Sequence, residues 1–466
     1  MSRSFVPAAL IWLGLAISII STADHIRAQT PPAMPQLSAK ERTAKLIERN
    51  RLWEEAAELR AAGKLVESLE RLSRHNDLQR EVFGDKTTGE AEALEQIALN
   101  ERDRQHWPEA RTAAAETLAI REKVHGPADW QTVDARIFLA DIERWSKLTE
   151  EDREALRQAE KANARAVGLY QSGKFTEGIV LAREVAETHE RLLGPDHLDT
   201  STSLNDLASL YQAQGNYAAA EPLFQRALAI REKALGPENP ETATTLSDLA
   251  HLFRAQSHYA AAEPLYQRAL AIWEKVLGPN HPYTATSLNN LAGLYKAQGN
   301  YAAAEPLVQR ALAIREKALG PDHPGTAVTL NNLAHLYESQ GNYAAAEPLV
   351  QRALAICEKA LGPEHRDTAS SLNNLARLYT ARGNYAAAEP LYQRALAICE
   401  KALGPEHRHE PQQPRWSVQS SRQLRGGRTA LPACAREHGK SPRAGAPQHR
   451  LEPEQQRPSI LGNGSV

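Results

Sequence analysis

The residues best able to do chemistry in this sequence are asparagines and cations that recur at a fixed spacing along the chain. Asparagine carries a donor and an acceptor on one amide, so it can hold the backbone of an extended peptide without selecting its side chains. Arginine and lysine beside it would favour acidic side chains or a carboxylate. The alternative is a merely solvated polar face. The candidate binding residues are Asn205, Asp206, Asp248, His251, Arg254, Asn289, Asn290, Lys296, Asn331, Asn332, His335, Asn373, Asn374 and Arg377.

Catalytic signatures are missing from the sequence. It contains no GxxxxGK[ST], HExxH, GxSxG or dinucleotide-binding fingerprint. Histidines also recur with the same spacing, but ligands in successive repeats lie too far apart to share one metal ion, so we interpret them as loop caps. These histidines are His197, His281, His323, His365 and His407. We predict no enzymatic activity, no cofactor and no metal site.

The elements that position the candidate residues are repeats. Five copies occupy residues 194–403, and a Gly-Pro pair opens each of them. In the third copy, Pro282 suits the first position of a helix, and apolar residues then share one stripe. These residues are Leu288, Leu291, Ala292 and Tyr295. Asn300 can cap a second helix, which Gly320 ends. One helix pair cannot bury its own stripe, so the pairs must stack into an all-α solenoid.

This pattern resembles the tetratricopeptide repeat (TPR). The matching residues are Leu288, Leu291, Ala292, Tyr295, Gly299, Tyr301, Ala304, Val308 and Ala311. The 42-residue period with its Asn-Asn-Leu-Ala core is similar to the repeats of kinesin light chains and their bacterial relatives. The resemblance implies a right-handed α-solenoid of helix-turn-helix repeats that binds a protein or peptide, with the candidate residues lining its concave groove. A microtubule role is not implied, because the N-terminus is typical of export.

Residues 39–193 carry a weaker form of the same register. The gap between Gly126 and Gly194 is longer than one period, so this stretch holds extra chain. We predict one long helix over Glu150–Gln171 and the second helix of a degenerate unit over Lys174–Leu193. Residues 39–193 are therefore interpreted as degenerate TPR-like repeats continuous with the clean ones. A separate N-terminal domain is the alternative.

The N-terminus has the pattern of a targeting signal rather than of a folded domain. Arg3 precedes an apolar stretch over Val6–Ile20, and Ala28 is a small residue suited to cleavage. This layout is typical of a signal peptide over residues 1–28, followed by a linker over residues 29–38. We expect a periplasmic or secreted protein. An uncleaved N-terminal anchor is the alternative.

The tail over residues 404–466 departs from the repeat pattern. It holds ten Lys+Arg and five Asp+Glu, which is typical of a disordered basic arm that binds nucleic acid. Reverse translation favours another hypothesis: Arg422 to Ala435, read in the adjacent frame, gives the repeat sequence of Gly383 to Ala395. We therefore interpret the tail as frameshifted repeats, disordered in this form. A solenoid needs a polar cap, so end-to-end self-association through residues 385–403 is a further expectation.

Charge and composition narrow the choice of partner. A net charge of −2 gives no reason to expect nucleic acid or an acidic membrane. A hydrophobic fraction of 42% suffices for a packed core. We therefore predict a non-enzymatic scaffold with a protein or peptide partner, no nucleic acid, and no membrane beyond the N-terminal segment. The alternative is a regulatory repeat array for an enzyme or signalling domain, on another chain or lost past the frame break.

Overall fold

The computed structural model describes residues 37–403, which form α-helices and, within that range, no strand. This confirms the all-α prediction. The predicted signal peptide and tail lie outside the described residues. The helices are α1 Ala39–Ala61, α2 Leu65–Phe83, α3 Thr88–Asp103, α4 Trp107–His125, α5 Trp130–Lys147, α6 Glu150–Gln171, α7 Phe175–Leu193, α8 Leu198–Ala213, α9 Tyr217–Ala234, α10 Pro240–Ala255, α11 Tyr259–Leu277, α12 Pro282–Ala297, α13 Tyr301–Leu319, α14 Pro324–Ser339, α15 Tyr343–Ala360, α16 Arg366–Ala381 and α17 Tyr385–Leu403.

Local sequence sets the ends of each helix pair in the way the third copy predicts. α12 begins at Pro282, which occupies the first turn and needs no N–H partner there. α13 is capped by Asn300, whose side-chain oxygen accepts a hydrogen bond from the N–H of Ala303 at 3.2 Å. It ends at Gly320, which has a φ of 98°, a left-handed conformation that glycine adopts without strain. The predicted helix boundaries are confirmed.

The core forms both inside repeats and between them. Ala285 and Leu288 pack with Ala311 and Ile314 inside the third copy. Ala292 and Val308 of the third copy pack in one cluster with Leu333 and Leu336 of the fourth. Tyr295 packs against the same cluster, and its hydroxyl donates to Glu263 Oε1 of the preceding repeat at 2.9 Å. Each apolar stripe is therefore buried partly by the other helix of its own repeat and partly by the neighbouring repeat. The predicted stacking of helix pairs is confirmed.

The upstream helices continue this pairwise packing with one interruption. α1 packs on α2, α3 on α4, and α6 on α7, and α7 then packs on α8 of the first clean copy. α6 has the predicted bounds, and α7 begins at Phe175, one residue later than expected. The interruption is α5, which packs closely on α4 and makes no comparable backbone contact with α6. Among residues 37–403, no helix combines the length and apolarity needed to cross a membrane.

The array curves strongly enough for distant repeats to meet. The guanidinium of Arg366, at the start of α16, donates to the backbone carbonyl of Gln171, at the end of α6, at 3.1 Å. These residues are 195 positions apart in the chain. The first helices of the repeats between them therefore lie on an arc whose two ends touch.

Candidate functional site

The first helix of each clean repeat carries the candidate residues on one side, which we call the asparagine face. It belongs to α8, α10, α12, α14 and α16. The apolar stripe on the opposite side of these helices is buried in the core. The asparagine face and the apolar stripe each recur once in every repeat. Corresponding polar side chains of consecutive repeats therefore lie side by side.

In three of the clean repeats, an asparagine at the first of the two polar positions bonds to the next repeat. Asn289 Nδ2 donates to Thr329 Oγ1 at 3.1 Å, and Asn331 Nδ2 donates to Ser371 Oγ at 3.3 Å. Asn205 Nδ2 also bonds to the next repeat, but at a different position of the helix, where it donates to Asp248 Oδ2 at 3.0 Å. The amide donors of these asparagines are therefore engaged within the solenoid. A buried Oδ1 without a hydrogen-bond partner remains on Asn205, Asn289, Asn331 and Asn373.

The N-terminal end of the asparagine face is closed to a ligand. Asn205 and Asp206 are each about 1% exposed. Asp206 accepts a hydrogen bond at 3.1 Å from Asn163 Nδ2 of α6. Asn163 was missed by the sequence analysis, although it lies one full period before Asn205 and so occupies the same repeat position. The repeat period alone would have identified it.

The second asparagine remains available in two repeats. Asn290 and Asn332 are half-buried, and neither side chain makes a hydrogen bond to any residue in the range 37–403. Asn374 differs because its Oδ1 lies 3.2 Å from His335 Nε2. Two primary amides, one repeat apart, therefore have donors and acceptors that the described residues do not use.

The cations of the asparagine face fall into two groups, of which the first is paired. Arg377 Nη1 lies 2.6 Å from Glu338 Oε2, and Arg377 Nη2 lies 2.6 Å from His335 Nδ1. Burial, with the charges of Arg377 and Lys296, lowers the pKa of His335 to about 3. His335 is therefore neutral at physiological pH, and the charge of Arg377 is already balanced by Glu338.

Arg254 and Lys296 form the second group, which has no ion pair within the described range. Both are half-buried, and burial together with the charges of Arg377 and Arg254 lowers the pKa of Lys296. The Arg254 guanidinium reaches across to Gly293 of the next repeat, where an added Cβ would lie 2.8 Å from Arg254 Nη1. Asn290 and Gly293 lie on the same helix, so the unused amide and the unpaired cations belong to one patch.

Two candidate residues at the edge of this patch have other roles. His251 is exposed, and its Nδ1 lies 2.6 Å from Gln212 Nε2 of the preceding repeat. Burial raises the pKa of Asp248 to about 6, against the lowering effects of the Asn205 hydrogen bond and of Arg231. Asp248 therefore serves the junction between repeats more directly than it serves a ligand.

The recurring histidines cap helices, as predicted. The Nδ1 atoms of His281 and His323 accept hydrogen bonds from the N–H groups of Tyr283 and Gly325 at 3.2 and 3.0 Å. His197 and His365 make the same contact, whereas His407 lies outside the described residues. In the part of the chain that the structure describes, no three His, Cys, Asp or Glu side chains are grouped so that they could hold a metal ion.

The chemistry that the described patch offers is hydrogen bonding and positive charge. The patch presents two amides and two cations within successive turns of the solenoid, with a neutral histidine and a balanced ion pair beside them. Amides suit the backbone of an extended chain, and unpaired cations suit a carboxylate.

Comparison with known proteins identifies the repeat. A tetratricopeptide repeat model matches residues 157–233, 204–275, 241–317, 291–359 and 327–401, which together cover more than half of the chain. A second tetratricopeptide repeat model matches residues 91–130. No curated protein was found to be similar in sequence.

Solved structures show a further likeness. A Podosopora anserina protein described as a kinesin light chain with nearly identical TPR-like repeats is 31% identical over 45% of this chain and 97% of its own, with a TM-score of 0.38. BtubC from P. vanneervenii is 26% identical over 53% of this chain and 94% of its own, also with a TM-score of 0.38. A Rap protein complexed with competence and sporulation factor is 16% identical over 77% of this chain and 98% of its own, with a TM-score of 0.41. At these TM-scores, the likenesses carry no functional conclusion.

Proposed function

The chain belongs to the tetratricopeptide repeat family and is a protein-interaction scaffold; from that premise, we propose that it binds an extended, acidic segment of a partner along the asparagine face. The observation that supports this proposal is the pair of unused amides, Asn290 and Asn332, beside the unpaired cations Arg254 and Lys296. These donors and acceptors are not used by the fold, so they are free to bond to a ligand.

The spacing of the amides fits an extended peptide. Packed helices of successive repeats lie about 8–10 Å apart, and an extended chain advances about 3.3 Å per residue. Asn290 and Asn332 would therefore contact backbone groups about three residues apart. A carboxylate near Arg254 and Lys296 would orient the segment along the face. The remaining contacts would be to backbone and would leave most of the partner's sequence unspecified.

The experiment compares peptide binding by matched variants of the full chain. A random peptide library displayed on phage is selected on the wild-type protein, and the affinity of the enriched peptides is measured by fluorescence anisotropy. We expect enrichment of acidic peptides and at least tenfold weaker binding to Asn290→Ala/Asn332→Ala. We expect a comparable loss on Arg254→Gln/Lys296→Gln.

The matched control removes the same charge from an exposed loop edge. Lys233→Gln/Lys359→Gln removes two exposed cations that pair with loop carboxylates, and we expect it to bind like the wild type. Enriched peptides that bind all of these variants equally would refute the proposed face. Circular dichroism confirms that each variant keeps its helix content.

The N-terminus of the chain bears on where this binding takes place. We propose that the chain is exported and that the partner segment is met in the periplasm or outside the cell. N-terminal sequencing of the protein isolated from cell fractions tests this, because export with cleavage predicts a start at Gln29. An intact N-terminus in the cytoplasmic fraction would contradict export.

The tail hypothesis has its own test. We propose that residues 404–466 derive from repeat DNA in a shifted frame, and resequencing the gene decides this directly. Sedimentation velocity of the full chain tests the associated expectation of end-to-end association, which a concentration-independent monomer would exclude. The proposed peptide-binding face does not depend on either outcome.

A further inference from the structure

The extra helix α5 lies along the edge of the repeats that follow it. His197 Nε2 donates to Asp141 Oδ1 at 2.9 Å, and Asn239 Nδ2 donates to Asp134 Oδ1 at 3.1 Å. His197 is the N-cap residue of α8, and Asn239 is the N-cap residue of α10. α5 therefore connects the N-caps of two consecutive repeats, and it runs opposite to their order in the chain.

The match between the carboxylates of α5 and the N-cap residues of successive repeats depends on the geometry of a helix. Asp134 and Asp141 are seven residues apart, which is about 10.5 Å along a helix that rises about 1.5 Å per residue. Successive packed helices are about 8–10 Å apart. Carboxylates at every seventh position of a helix therefore meet one N-cap in each repeat. The row of N-caps continues beyond α5 through His281, His323 and His365.

Capping fixes which ring nitrogen of each histidine is the donor. The Nδ1 of His281, His323 and His365 accepts a backbone N–H at 3.0 to 3.2 Å, so the proton of the neutral ring is on Nε2. Burial lowers the pKa of His281 to about 4, and burial followed by the charge of Arg315 lowers the pKa of His323. Both rings are therefore neutral at pH 7, with the cap intact.

The Nε2 donors of these three histidines have no acceptor within residues 37–403. α5 does not supply one, because the next position in its series is residue 127, which precedes its start at Trp130. The difference in coverage is large: the His197 side chain is 5% exposed, whereas that of His365 is 44% exposed. The row of N-cap residues is thus covered by α5 at its His197 end and exposed at its His365 end.

The lysines beside two of these histidines are already balanced by carboxylates, and the lysine beside the third is not. Lys359 pairs with Asp322 beside His323, and Lys401 pairs with Glu364 beside His365. The equivalent position beside His281 is Asn280, so the matching Lys317 has no carboxylate partner within the described range.

We propose that His281, His323 and His365 form a second docking surface, which binds an α-helix of a partner protein with Asp or Glu at every seventh position. This surface is the continuation of the α5 interface and is independent of the asparagine face. The partner helix would run in the same direction as α5, with its carboxylates accepting from the three Nε2 donors.

The test uses a synthetic helix as the probe and the full chain as the receptor. The probe is a lactam-stapled, alanine-based peptide of about six helical turns, with Asp at positions 4, 11 and 18. The control peptide has the same length and composition, with its Asp residues at positions 4, 9 and 14, which lie on different sides of the helix. We expect fluorescence anisotropy to show binding of the probe at least tenfold tighter than that of the control peptide.

Two triple variants distinguish donor chemistry from folding. The variant His281→Asn/His323→Asn/His365→Asn keeps both the cap and a donor, as Asn239 does naturally, and should bind the probe within threefold of the wild type. The variant His281→Asp/His323→Asp/His365→Asp keeps the cap but replaces the donor with a negative charge, and should lose binding at least tenfold. Equal binding of the two peptides, or equal binding by the His→Asp and His→Asn variants, would overturn the proposal.

Discussion

Asp248 provides a direct test of how the repeat junction treats charge. Burial raises its pKa to about 6 from a usual 3.8. The folded state therefore holds the proton more tightly than the unfolded state, so the contribution of Asp248 to stability is greatest below pH 3.8 and is lost as the pH rises through 6. Asp248→Asn removes this loss. The corresponding positions in the next three repeats are already Asn290, Asn332 and Asn374, so the amide fits the site.

The size of the effect follows from the pKa difference. A difference of this size corresponds to about 3 kcal/mol as an upper bound. Asp248 is half-buried rather than enclosed, so solvent screening reduces the expected value to roughly 1–2 kcal/mol. We expect the stability advantage of Asp248→Asn over the wild type to grow by this amount between pH 4 and pH 8.

The assay is urea unfolding followed by circular dichroism at pH 4, 6 and 8. The matched control is Asp196→Asn, since Asp196 has a side chain 64% exposed and pairs with the exposed Lys233. Exposed changes of this kind usually alter stability by less than about 0.5 kcal/mol. An advantage of Asp248→Asn that is the same at all three pH values would show that burial does not oppose ionisation there. The same pH trend in Asp196→Asn would show that the trend does not come from the burial of Asp248.

Three further predictions test the local physics of the fold. Gly168→Ala adds a methyl that meets nothing within 4 Å and should stabilise α6 by about 0.5–1 kcal/mol. Gly236→Ala places a side chain at a φ of 93° and should destabilise the protein by about 1–2 kcal/mol. Thermal unfolding distinguishes these opposite effects. Maleimide should label half-buried Cys399 before buried Cys357 in peptide mass spectrometry, and equal rates would contradict the burial. Asp141→Ala should raise hydrogen exchange in α5 about tenfold while α15 is unchanged, and unchanged α5 exchange would show that the carboxylate does not hold the helix.

Helix boundaries were predictable because each depends on a few neighbouring residues. Pro282 at a first turn, Asn300 at a cap and Gly320 at a C-terminus each act on the backbone beside them. Because the sequence is periodic, the same local signals recur in every copy. The structure confirmed the predicted boundaries of the third copy and of α6 for this reason.

The candidate site was predictable only in part. The period identified the asparagine pairs, but it could not show which member of a pair bonds to the next repeat. Neighbouring residues of a helix point about 100° apart, so Asn289 reaches Thr329 while Asn290 does not make that contact. The pairing of Arg377 with Glu338 likewise depends on two side chains meeting across a repeat boundary.

The sequence by itself determined the hairpin of helices, its period and the stripe that each repeat buries, since propensity, capping and hydrophobic pattern are local properties. Only the tertiary structure decided where α5 lies and which polar groups are left without partners. Residues 134 and 239 are 105 positions apart, and no period relates them. Their contact exists because a helix with carboxylates seven residues apart matches the distance between stacked repeats.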